Sequence, residues 1–436
     1  MLQHLKKIIP DQFPLRKIYH KGIAVAAALR FRLPAREMNV IGITGTDGKT
    51  TTTFLTMQLL RLAGKNVGMA STVAFQIGDK AIVNTTHKTT LGRFGLQKLL
   101  AKMKDAQVTH AVLEVSSHAL EQSRVWGIPF KTAVFTNLSR EHLDYHRTME
   151  EYFAAKKKLF TLVSKNKTNE RTFVLNARDC YNKELLDLPT DKKILFTQNG
   201  EGAACLSKAS IVINITNIQI ESDGQSFDLI IGDKTYHTRT NLIGNFNLDN
   251  IAAALGAVMA EGINAEEAVS YIPQLTAVPG RMEVIDLKKD FTIIIDYAVT
   301  PEALKKCYTT LRESSKGGKI LAVLGACGDR DQGKRGQMGD IATTLCDEVF
   351  FTDEEPYSED PLDILYMLES IAKGKGQKNY HVIQDRRKAI FSAMNEAKKG
   401  DIVIVTGMGD QTSRVVGDKK EPWSDREVIH EESAKL

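Results

Sequence analysis

The chain has 436 residues, of which 42% are hydrophobic and 25% charged, values typical of globular proteins, and its length suits two or three domains. The net charge of +5 comes without a basic block, which disfavours nucleic-acid binding and suits small anionic substrates. No membrane-spanning run or signal peptide is visible, and five scattered cysteines predict neither disulfides nor a zinc site, so we expect a cytoplasmic protein without a membrane partner.

The N-terminal half shows the pattern of a parallel α/β fold. The first 38 residues contain one apolar helix-like segment, residues 22–29, and too little else for an independent core. From Val40, short β-branched runs alternate with helical patterns, which predicts parallel strands joined by helices. A helix is predicted at residues 50–62, ended by Gly64. Strands are predicted at residues 40–44, 110–115, 132–136 and 173–175.

The pattern changes further along the chain. Residues 211–220 and 227–238 alternate apolar and polar side chains around Asp223-Gly224, which predicts an antiparallel hairpin at the edge of the sheet. A second α/β series follows Pro279-Gly280. Its strands are predicted at residues 292–295, 320–324, 348–352 and 402–406. The predicted division is a short N-terminal segment (1–38), a central P-loop-type ATPase domain with a mostly parallel sheet (39–281), and a C-terminal Rossmann-like α/β domain (282–436).

A candidate phosphate loop spans residues 41–51, where an apolar strand leads through glycines into a Lys-Thr pair that opens a helix. Gly45 and Gly48 let backbone N–H groups approach phosphate oxygens, Lys49 offers a point charge, and the Thr50 hydroxyl can bind Mg²⁺. The strict Walker pattern is not met, because Ile43 occupies its first glycine position, and a plain strand-turn-helix corner is the alternative. The predicted ATP-binding residues of the loop are Gly45, Thr46, Asp47, Gly48, Lys49, Thr50 and Thr51.

Three further motifs carry a family resemblance. They are Glu-Val-Ser-Ser-His-Ala-Leu at 114–120, Phe-Thr-Asn-Leu-Ser-Arg-Glu-His-Leu-Asp-Tyr-His at 135–146, and Ala-Ala-Lys at 154–156. Together with the phosphate loop they resemble the Mur ligases, and within them the MurE type, from about Val40 to the C-terminus. The resemblance implies an ATP-dependent enzyme of peptidoglycan biosynthesis that adds an amino acid to the D-glutamate carboxylate of UDP-N-acetylmuramoyl-L-Ala-D-Glu through an acyl phosphate.

The resemblance also implies a catalytic and metal-binding set. Glu114 ends a predicted strand, where a carboxylate can reach a metal at the neighbouring phosphate loop. In the family, the positions of Glu114 and His142 hold Mg²⁺, and the position of Lys156 is a lysine carbamylated by CO₂ that supports a second Mg²⁺. From residue type alone, the run 156–158 would be a solvated face. The implied catalytic residues are Lys49, Glu114, His142 and Lys156, and the implied metal ligands are Thr50, Glu114, His142 and carbamylated Lys156.

Positions that contact substrates follow from the same resemblance. The muramyl dipeptide positions are matched by Thr89, Thr90, Ser116 and Arg124, with ordinary loop residues as the alternative for the threonines. Asn245 and Asn247 lie in a stretch similar to the adenine-binding segment, although a helix N-cap would also account for Asn247. Arg281 and Asp296 resemble the hinge and ribose-contacting segments and complete the predicted ATP-binding set.

Three departures from the family pattern affect the substrates. The residues before Val40 are too few for the usual N-terminal uridine-binding domain, which leaves open how the UDP part is held. The amino-acid-selecting segment reads Asp353-Glu354-Glu355-Pro356-Tyr357, with Tyr357 where diaminopimelate-adding members carry arginine. Glu354 and Glu355 favour a cationic side chain such as lysine, with a solvated acidic loop as the alternative. Val299 replaces a family histidine, and residues 407–411 read Gly-Met-Gly-Asp-Gln in place of Gly-Lys-Gly-His-Glu.

Two other functions are compatible with the sequence. One is a ligase of the same fold acting on another acid, of the folate or poly-γ-glutamate type, and the other is a catalytically silent Mur-like nucleotide-binding protein. The motifs at 116–120 and 137–146 favour the peptidoglycan branch, and the presence of all the implied catalytic residues favours activity. ATP and Mg²⁺ are the expected cofactors, UDP-muramyl dipeptide and an amino acid are the expected small-molecule partners, and no oligomeric state is predicted.

Overall fold

The computed structural model describes residues 14–84, 86, 88–167, 170–221, 224–315 and 317–436. The chain divides into two compact units. The first holds residues 14–219, 224–241 and 245–276, and the second holds residues 277–436 with the short stretches 220–221 and 242–244. The domain limits predicted at residues 38 and 281 stay predictions.

A large sheet forms the centre of the first unit. Its strands are β1 (Asn39–Thr44), β2 (Val67–Ala70), β3 (Ala74–Ile77), β4 (Lys80–Val83), β5 (His110–Glu114), β6 (Phe130–Phe135), β7 (Thr172–Asn176), β8 (Lys192–Gln198), β9 (Ile211–Glu221), β10 (Gly224–Ile231) and β11 (Lys234–Thr240). The strand order is β11-β10-β9-β8-β7-β6-β1-β5-β2-β3-β4. The strands from β9 to β2 in this order run parallel, whereas β3, β4 and the β10–β11 pair are antiparallel.

Helices surround this sheet. They are α1 (Pro14–Arg30), α2 (Lys49–Leu62), α3 (Arg93–Asp105), α4 (Ser117–Glu121), α5 (Leu143–His146), α6 (Met149–Ser164), α7 (Asn182–Leu186), α8 (Ala203–Leu206), α9 (Asn245–Ala260) and α10 (Ala265–Ser270). Strands β5 and β7 are buried along their whole length, because helices cover both faces of a parallel sheet. The predicted α/β fold with a mostly parallel central sheet is therefore confirmed.

The edge of the sheet differs from the prediction. The single strand predicted at residues 227–238 is wrong, because β10 ends at Ile231 and β11 begins at Lys234. Gly232 adopts a φ of 60° between them, a left-handed conformation that allows a tight hairpin turn. Asp223, in the predicted turn, lies outside the described residues. The helix predicted at 22–29 is longer than expected, and β2, β3, β4 and β8 were not predicted.

The second unit contains a smaller doubly wound sheet. Its strands are β12 (Glu283–Ile285), β13 (Thr292–Asp296), β14 (Ile320–Leu324), β15 (Glu348–Phe351), β16 (Tyr380–Val382) and β17 (Ile402–Thr406), followed by a separate hairpin of β18 (Ser413–Val416) and β19 (Lys419–Pro422). The sheet order is β12-β13-β17-β14-β15-β16, with only β12 antiparallel. The helices are α11 (Pro301–Ser314), α12 (Arg335–Leu345), α13 (Pro361–Gly374), α14 (Arg386–Glu396) and α15 (Asp425–Ser433). This arrangement confirms the Rossmann-like prediction.

Two further predictions can be compared with the structure. In the part of the chain that the structure describes, no helix is both long and apolar enough to cross a membrane. All five cysteines have free thiols, as their spacing indicated.

His110 at the start of β5 is expected to make the free energy of unfolding depend on pH. Burial, followed by the charges of Lys65 and Lys131, lowers the pKa of His110 from 6.5 to about 4. The unfolded chain therefore takes up this proton at a higher pH than the folded chain. The contribution of His110 to the unfolding free energy is fully present above pH 6.5 and is lost as the pH decreases towards 4.

We expect His110→Gln to remove this part of the pH dependence. Between pH 7 and 5 the wild type should lose about 2 kcal/mol more unfolding free energy than the variant, as measured by urea titration at both pH values. The buried His146, whose pKa is also lowered to about 4, is unchanged in the variant and retains its own contribution. Equal losses for the two proteins would contradict the assignment to His110.

Candidate active site

The phosphate loop joins β1 to α2 and is held from two sides. Gly48 has a φ of 78°, and a Cβ there would collide with the Asn250 side-chain oxygen from α9, so only glycine fits. On the other side, the Asp47 N–H donates to the Asn137 side-chain oxygen at 2.9 Å, and the Thr136 hydroxyl donates to the Asp47 carbonyl at 2.6 Å. The loop that the sequence predicted is therefore a fixed cradle at the N-terminus of α2, where anions bind favourably.

Cationic and hydroxyl groups lie at the mouth of this cradle. Lys49, Thr50 and Thr51 form the first turn of α2. The Lys49 ammonium donates to the Thr46 carbonyl at 2.7 Å, so it folds back over the loop. The Thr46 hydroxyl is within 3.3 Å of the Tyr152 hydroxyl and accepts from the Ser139 N–H at 3.0 Å. Lys49 and the Thr50 hydroxyl therefore lie beside the loop at the N-terminus of α2, the place where phosphate and its metal bind in loops of this kind.

Glu114 meets the loop from the end of β5. Because β1 and β5 are parallel neighbours in which Ile43 pairs with Glu114, the carboxyl ends of both strands reach the same edge of the sheet. The Thr50 hydroxyl donates to Glu114 Oε1 at 3.0 Å. Glu114 Oε2 accepts from the Thr72 N–H at 2.8 Å and from the Thr72 hydroxyl at 3.0 Å. Thr72, which fixes this carboxylate, was missed from the sequence, because β2 before it was not predicted.

Lys156 on α6 is buried, unlike its neighbours Lys157 and Lys158. Its side chain is 1% exposed, and its ammonium donates to the Gly45 carbonyl and lies 4.3 Å from the centre of the Tyr152 ring. Burial, followed by the charge of Lys49, lowers the pKa of Lys156 well below the ordinary value. The neutral amine, which is the form that reacts with CO₂, is thereby favoured. The solvated-face alternative does not hold for Lys156.

His142 belongs to a cluster of aromatic rings beside Lys156. Its φ of 55° is left-handed, and its ring lies 5.0 Å from that of His118 and 6.0 Å from that of Tyr152. The loop before it is anchored by Asp179, whose carboxylate accepts from the Leu138 N–H at 2.7 Å. Tyr152 and Asp179 were not recognised from the sequence, because each acts through contacts that residue spacing does not reveal.

Of the four residues predicted to bind the muramyl dipeptide acceptor, three lie together and form an acceptor-binding cluster: Thr90, Ser116 and Arg124. The Thr90 hydroxyl donates to the Glu114 carbonyl at 3.0 Å and accepts from the Ser116 N–H at 3.1 Å. Arg124 donates to the Thr90 carbonyl at 2.8 Å. Thr89 precedes Thr90 in the same loop and is partly exposed. This cluster adjoins Glu114, so an acceptor bound there would lie next to the phosphate loop.

The predicted adenine-binding stretch opens α9. Asn245 is the first residue of the helix and its carbonyl accepts from Gln198 at 3.0 Å. The Asn247 side chain lies within the first turn and accepts from the Asn250 amide at 3.0 Å, so the N-cap alternative for Asn247 is wrong. Asn250 also accepts from Thr52 at 3.3 Å and contacts Gly48, which joins the start of α9 to the phosphate loop.

Arg281 and Asp296, the last two predicted ATP-binding residues, lie in the second unit. Asp296 ends β13 and accepts from the Met282 N–H at 2.8 Å, and burial raises the pKa of its carboxyl group. The Arg281 guanidinium stacks over the Tyr297 ring at 4.4 Å. These two residues form a local cluster within their own unit.

The predicted amino-acid-selecting residues lie in one loop of the second unit. Asp353, Glu354, Glu355 and Tyr357 follow β15, at the carboxyl edge of the sheet where ligands bind in doubly wound folds. Glu354 is 5% exposed and its Oε2 has no hydrogen-bond partner among the described residues. Burial raises the pKa of Glu354 to about 7, against the opposing charge of Arg386. The Glu354 carboxylate also occupies the space beside Gly407, where a Cβ would collide with it.

The other residues of this loop are held by backbone contacts. Glu355 accepts from the Val415 N–H at 3.1 Å, and Asp353 donates its N–H to the Gln384 carbonyl at 3.1 Å. Tyr357 has a φ of 49°, and its ring lies 5.7 Å from the Arg330 guanidinium. Because Glu354 and Glu355 are both buried, the alternative of a solvated acidic loop is wrong for these two residues.

The site has the chemistry that Mg²⁺ and a triphosphate need. Thr50 and Glu114 present two oxygen donors beside the loop, and Mg²⁺ ordinarily combines few protein oxygens with phosphate oxygens and waters. Among the described residues, no group of three or more His, Cys, Asp or Glu side chains is arranged to hold a metal by itself. The residues therefore fit a metal that binds together with the nucleotide.

Family models and sequence relatives match most of this chain. The Mur ligase middle domain matches residues 43–258, and the Mur ligase, glutamate ligase domain matches residues 280–409. A UDP-N-acetylmuramoyl-L-alanyl-D-glutamate--2,6-diaminopimelate ligase of Clostridium botulinum is 37% identical over 413 residues, which cover 94% of this chain and 81% of the relative. The ligase of the same name from Aquifex aeolicus is 37% identical over 412 residues, covering 94% and 80%.

Solved structures of ligases have a fold similar to that of this chain. A structure of a UDP-N-acetylmuramoyl-L-alanyl-D-glutamate--2,6-diaminopimelate ligase has a TM-score of 0.65 at 30% identity, covering 91% of this chain and 78% of that one. The Mycobacterium tuberculosis folylpolyglutamate synthase complexed with ADP has a TM-score of 0.68 at 19% identity, covering 88% and 91%, a similarity of fold alone.

Proposed function

This chain belongs to the Mur ligase family and is an ATP-dependent ligase of peptidoglycan biosynthesis, and from this we propose its substrates, metal and catalytic residues. The acceptor is the D-glutamate carboxylate of UDP-N-acetylmuramoyl-L-alanyl-D-glutamate, the acid in the names of the relatives. The donor is the amine of a free amino acid, and Mg²⁺ accompanies ATP. We place the reaction in the cytoplasm.

The first step activates the carboxylate, because an amide does not form from a free carboxylate and an amine in water without an energy source. The acceptor carboxylate attacks the γ-phosphorus of ATP and forms an acyl phosphate, while ADP leaves. Lys49 and the loop amides neutralise charge that builds on the transferred phosphoryl group. Mg²⁺, held by Thr50, Glu114, His142 and carbamylated Lys156, would supply further charge stabilisation when bound.

The second step forms the amide bond. The neutral amine of the amino acid attacks the acyl carbon, a C–N bond replaces the acyl C–O bond, and inorganic phosphate leaves with the proton that the nitrogen loses. In the proposed arrangement Thr89, Thr90, Ser116 and Arg124 hold the dipeptide end of the acceptor, so its carboxylate faces the phosphate loop. Asn245, Asn247, Arg281 and Asp296 contact the nucleoside, and Asp353, Glu354, Glu355 and Tyr357 contact the amino acid.

The observation that carries this proposal is the contact of Thr50 with Glu114 at 3.0 Å, beside Lys49 and the buried Lys156. A direct test measures phosphate release with ATP, Mg²⁺ and UDP-muramyl dipeptide against a panel of single amino acids, with mass detection of the product. Release that depends on an amino acid, together with a tripeptide product, is expected. Protein that binds ATP but releases no phosphate with any amino acid would overturn the proposal and favour the silent nucleotide-binding alternative. A product formed only when a folate or a poly-γ-glutamate replaces UDP-muramyl dipeptide in the same assay would favour the other ligases of this fold.

The amino acid is proposed to carry a cationic side chain and a single carboxylate. Glu354 provides a buried carboxylate with an unpartnered oxygen, and Glu355 adds a second acidic group beside it. Tyr357 cannot form the charged bidentate pair that an arginine makes with the distal carboxylate of diaminopimelate. Lysine fits this charge pattern better than the diaminopimelate in the relatives' names.

Glu354→Gln is expected to raise the KM for lysine about tenfold, because a hydrogen bond to a charged group is lost, while kcat changes little. In the wild type, kcat/KM for lysine should also fall as the pH drops below about 7, where Glu354 takes up a proton. The variant should lack this dependence.

Glu348→Gln is a matched control, since Glu348 lies on β15 and pairs with His381 at 3.5 Å, whereas Glu354 lies in the loop after that strand. Steady-state kinetics of the wild type and both variants between pH 6 and 8 would measure these effects. A KM for lysine that is unchanged in the Glu354 variant would exclude the proposed contact.

A further inference from the structure

A cavity of about 410 Å³ lies in the first unit, against a face of α6 that does not carry Lys156. Its walls come from α1, α4, α5 and α6. The lining residues are Lys17, Glu121, His146, Glu151, Ala154, Ala155 and Lys158. Four of them follow the spacing i, i+3, i+4 and i+7 along α6, which defines one face of that helix. Lys156 lies on a different face, so none of the functions assigned above uses this cavity.

The charges of the cavity are arranged around one carboxylate. Glu121 is bound by Lys17 at 2.9 Å and by Lys158, and these two lysines, chiefly through hydrogen bonding against the opposing effect of burial, lower the pKa of Glu121. Each ammonium has three N–H donors, and its pair with Glu121 engages one of them. Glu151 adds a second carboxylate at the exposed end.

His146 contributes a neutral ring. Its Nε2 pairs with the Ser117 hydroxyl at 2.9 Å, and burial lowers its pKa to about 4. The wall therefore combines ammonium donors, two carboxylate acceptors and apolar alanine surface. This mixture suits a ligand that carries negative charge at one end and hydroxyl or amide groups at the other, as a sugar diphosphate does.

The cavity is close enough to the acceptor-binding cluster for one ligand to reach both. Ser116 caps α4 and Glu121 ends it, a separation of roughly 7 Å at 1.5 Å per residue. A helix is about 10–12 Å across, so the distance from the cavity to Lys156, which lies on another face of α6, is of this order. The sugar, lactoyl and dipeptide groups between the diphosphate and the D-glutamate carboxylate span about 14 Å, at roughly 3.5 Å for each unit.

We propose that this cavity binds the sugar-diphosphate part of the nucleotide-linked acceptor. Lys17 and Lys158 donate to the diphosphate oxygens, and Glu151 accepts from a hydroxyl or acetamide N–H of the sugar. The proposal rests on the proposed function, because it takes the acceptor from there. It gives α1 a role in substrate binding.

The experiment is a binding measurement that does not require turnover. UDP-N-acetylmuramate is titrated into the full-length protein by calorimetry, without ATP, and the wild type should bind it. Lys17→Ala and Lys158→Ala should each weaken binding about fivefold, because each removes one charge-assisted contact at a half-exposed site. Lys157→Ala is the matched control, since Lys157 precedes Lys158 on α6 but pairs with Glu184 at 2.6 Å outside the cavity.

Kinetics provide the second readout. With ATP and the accepted amino acid, the two cavity variants should raise the KM for the UDP-linked acceptor. They should leave unchanged the KM for ATP and the KM for muramyl dipeptide that lacks UDP. Thermal unfolding of each variant establishes that it is folded, and Lys17→Arg, which keeps the charge, should retain binding if Lys17→Ala proves unstable.

The outcomes separate the two proposals. Wild-type affinity retained in both alanine variants, or an equal rise in KM for acceptors with and without UDP, would overturn the cavity assignment. Binding of UDP-N-acetylmuramate that depends on Lys17 and Lys158, in a protein that forms no tripeptide, would support the cavity and contradict the proposed reaction. Competition of ADP with UDP-N-acetylmuramate for the cavity would also contradict the assignment, because it would mean that the cavity binds any nucleoside diphosphate.

Discussion

Lys49→Ala is expected to lower kcat for tripeptide formation by about 10²–10³-fold, which corresponds to about 3–4 kcal/mol of lost transition-state stabilisation. The Lys49 ammonium lies over the phosphate loop through its 2.7 Å hydrogen bond to the Thr46 carbonyl, so it needs little movement to reach a γ-phosphate. Its charge matters most when negative charge spreads over the transferred phosphoryl group. Rapid-quench measurement of ADP formation would follow the affected step directly.

The conformation of the phosphate loop should be unchanged in Lys49→Ala. Gly48 is fixed by Asn250, and Asp47 is fixed by Thr136 and Asn137, through contacts that do not involve Lys49. We therefore expect Lys49→Ala to keep the wild-type melting temperature and to bind ATP weakly. Lys98→Ala, at an exposed position of α3, is the control and should keep full activity. A Lys49 variant with near-normal kcat would exclude the proposed role of this residue.

Lys156→Arg is the second substitution with a large expected effect, a loss of roughly 100-fold in activity. Arginine keeps a positive charge but stays protonated, so it cannot form the carbamate that we propose for Lys156. The low pKa of the buried lysine favours the neutral amine that CO₂ needs. In the wild type, removal of CO₂ should lower activity and bicarbonate should restore it, whereas the variant should not respond.

A spectroscopic measurement distinguishes loss of the carbamate from a general loss of native structure in the variant. The wild type incubated with ¹³C-bicarbonate should give a carbamate carbon signal in NMR, and Lys156→Arg should not. Lys157→Arg is the matched control, because the adjacent lysine is partly exposed and pairs with Glu184. If the signal persists in Lys156→Arg, or if activity is independent of CO₂, the proposed carbamate at Lys156 is wrong.

Local residue patterns determined much of this protein. Strand β1, the glycines of the phosphate loop and the start of α2 are contiguous in sequence, and their conformations depend mainly on hydrophobic periodicity, glycine φ freedom and helix-start chemistry. The parallel α/β class followed from the alternation of buried strands and helices. The split of residues 227–238 into two strands was missed, because a two-residue turn at Gly232-Asp233 interrupts the alternation only briefly.

Tertiary structure alone decided which polar residues meet. The sequence gives no reason why Thr72 should hold Glu114, or why Asn250 should close on Gly48, because these contacts join strands and helices far apart in the chain. Burial likewise distinguishes Lys156 from two identical neighbours, and Glu354 from an ordinary surface acid. The cavity beside α6 depends on four helices at once. Local residue pattern therefore determines the strands, the helices and the phosphate loop. Long-range packing determines the protonation state and the hydrogen-bond partners of the site side chains, because these depend on burial and on residues far apart in the chain.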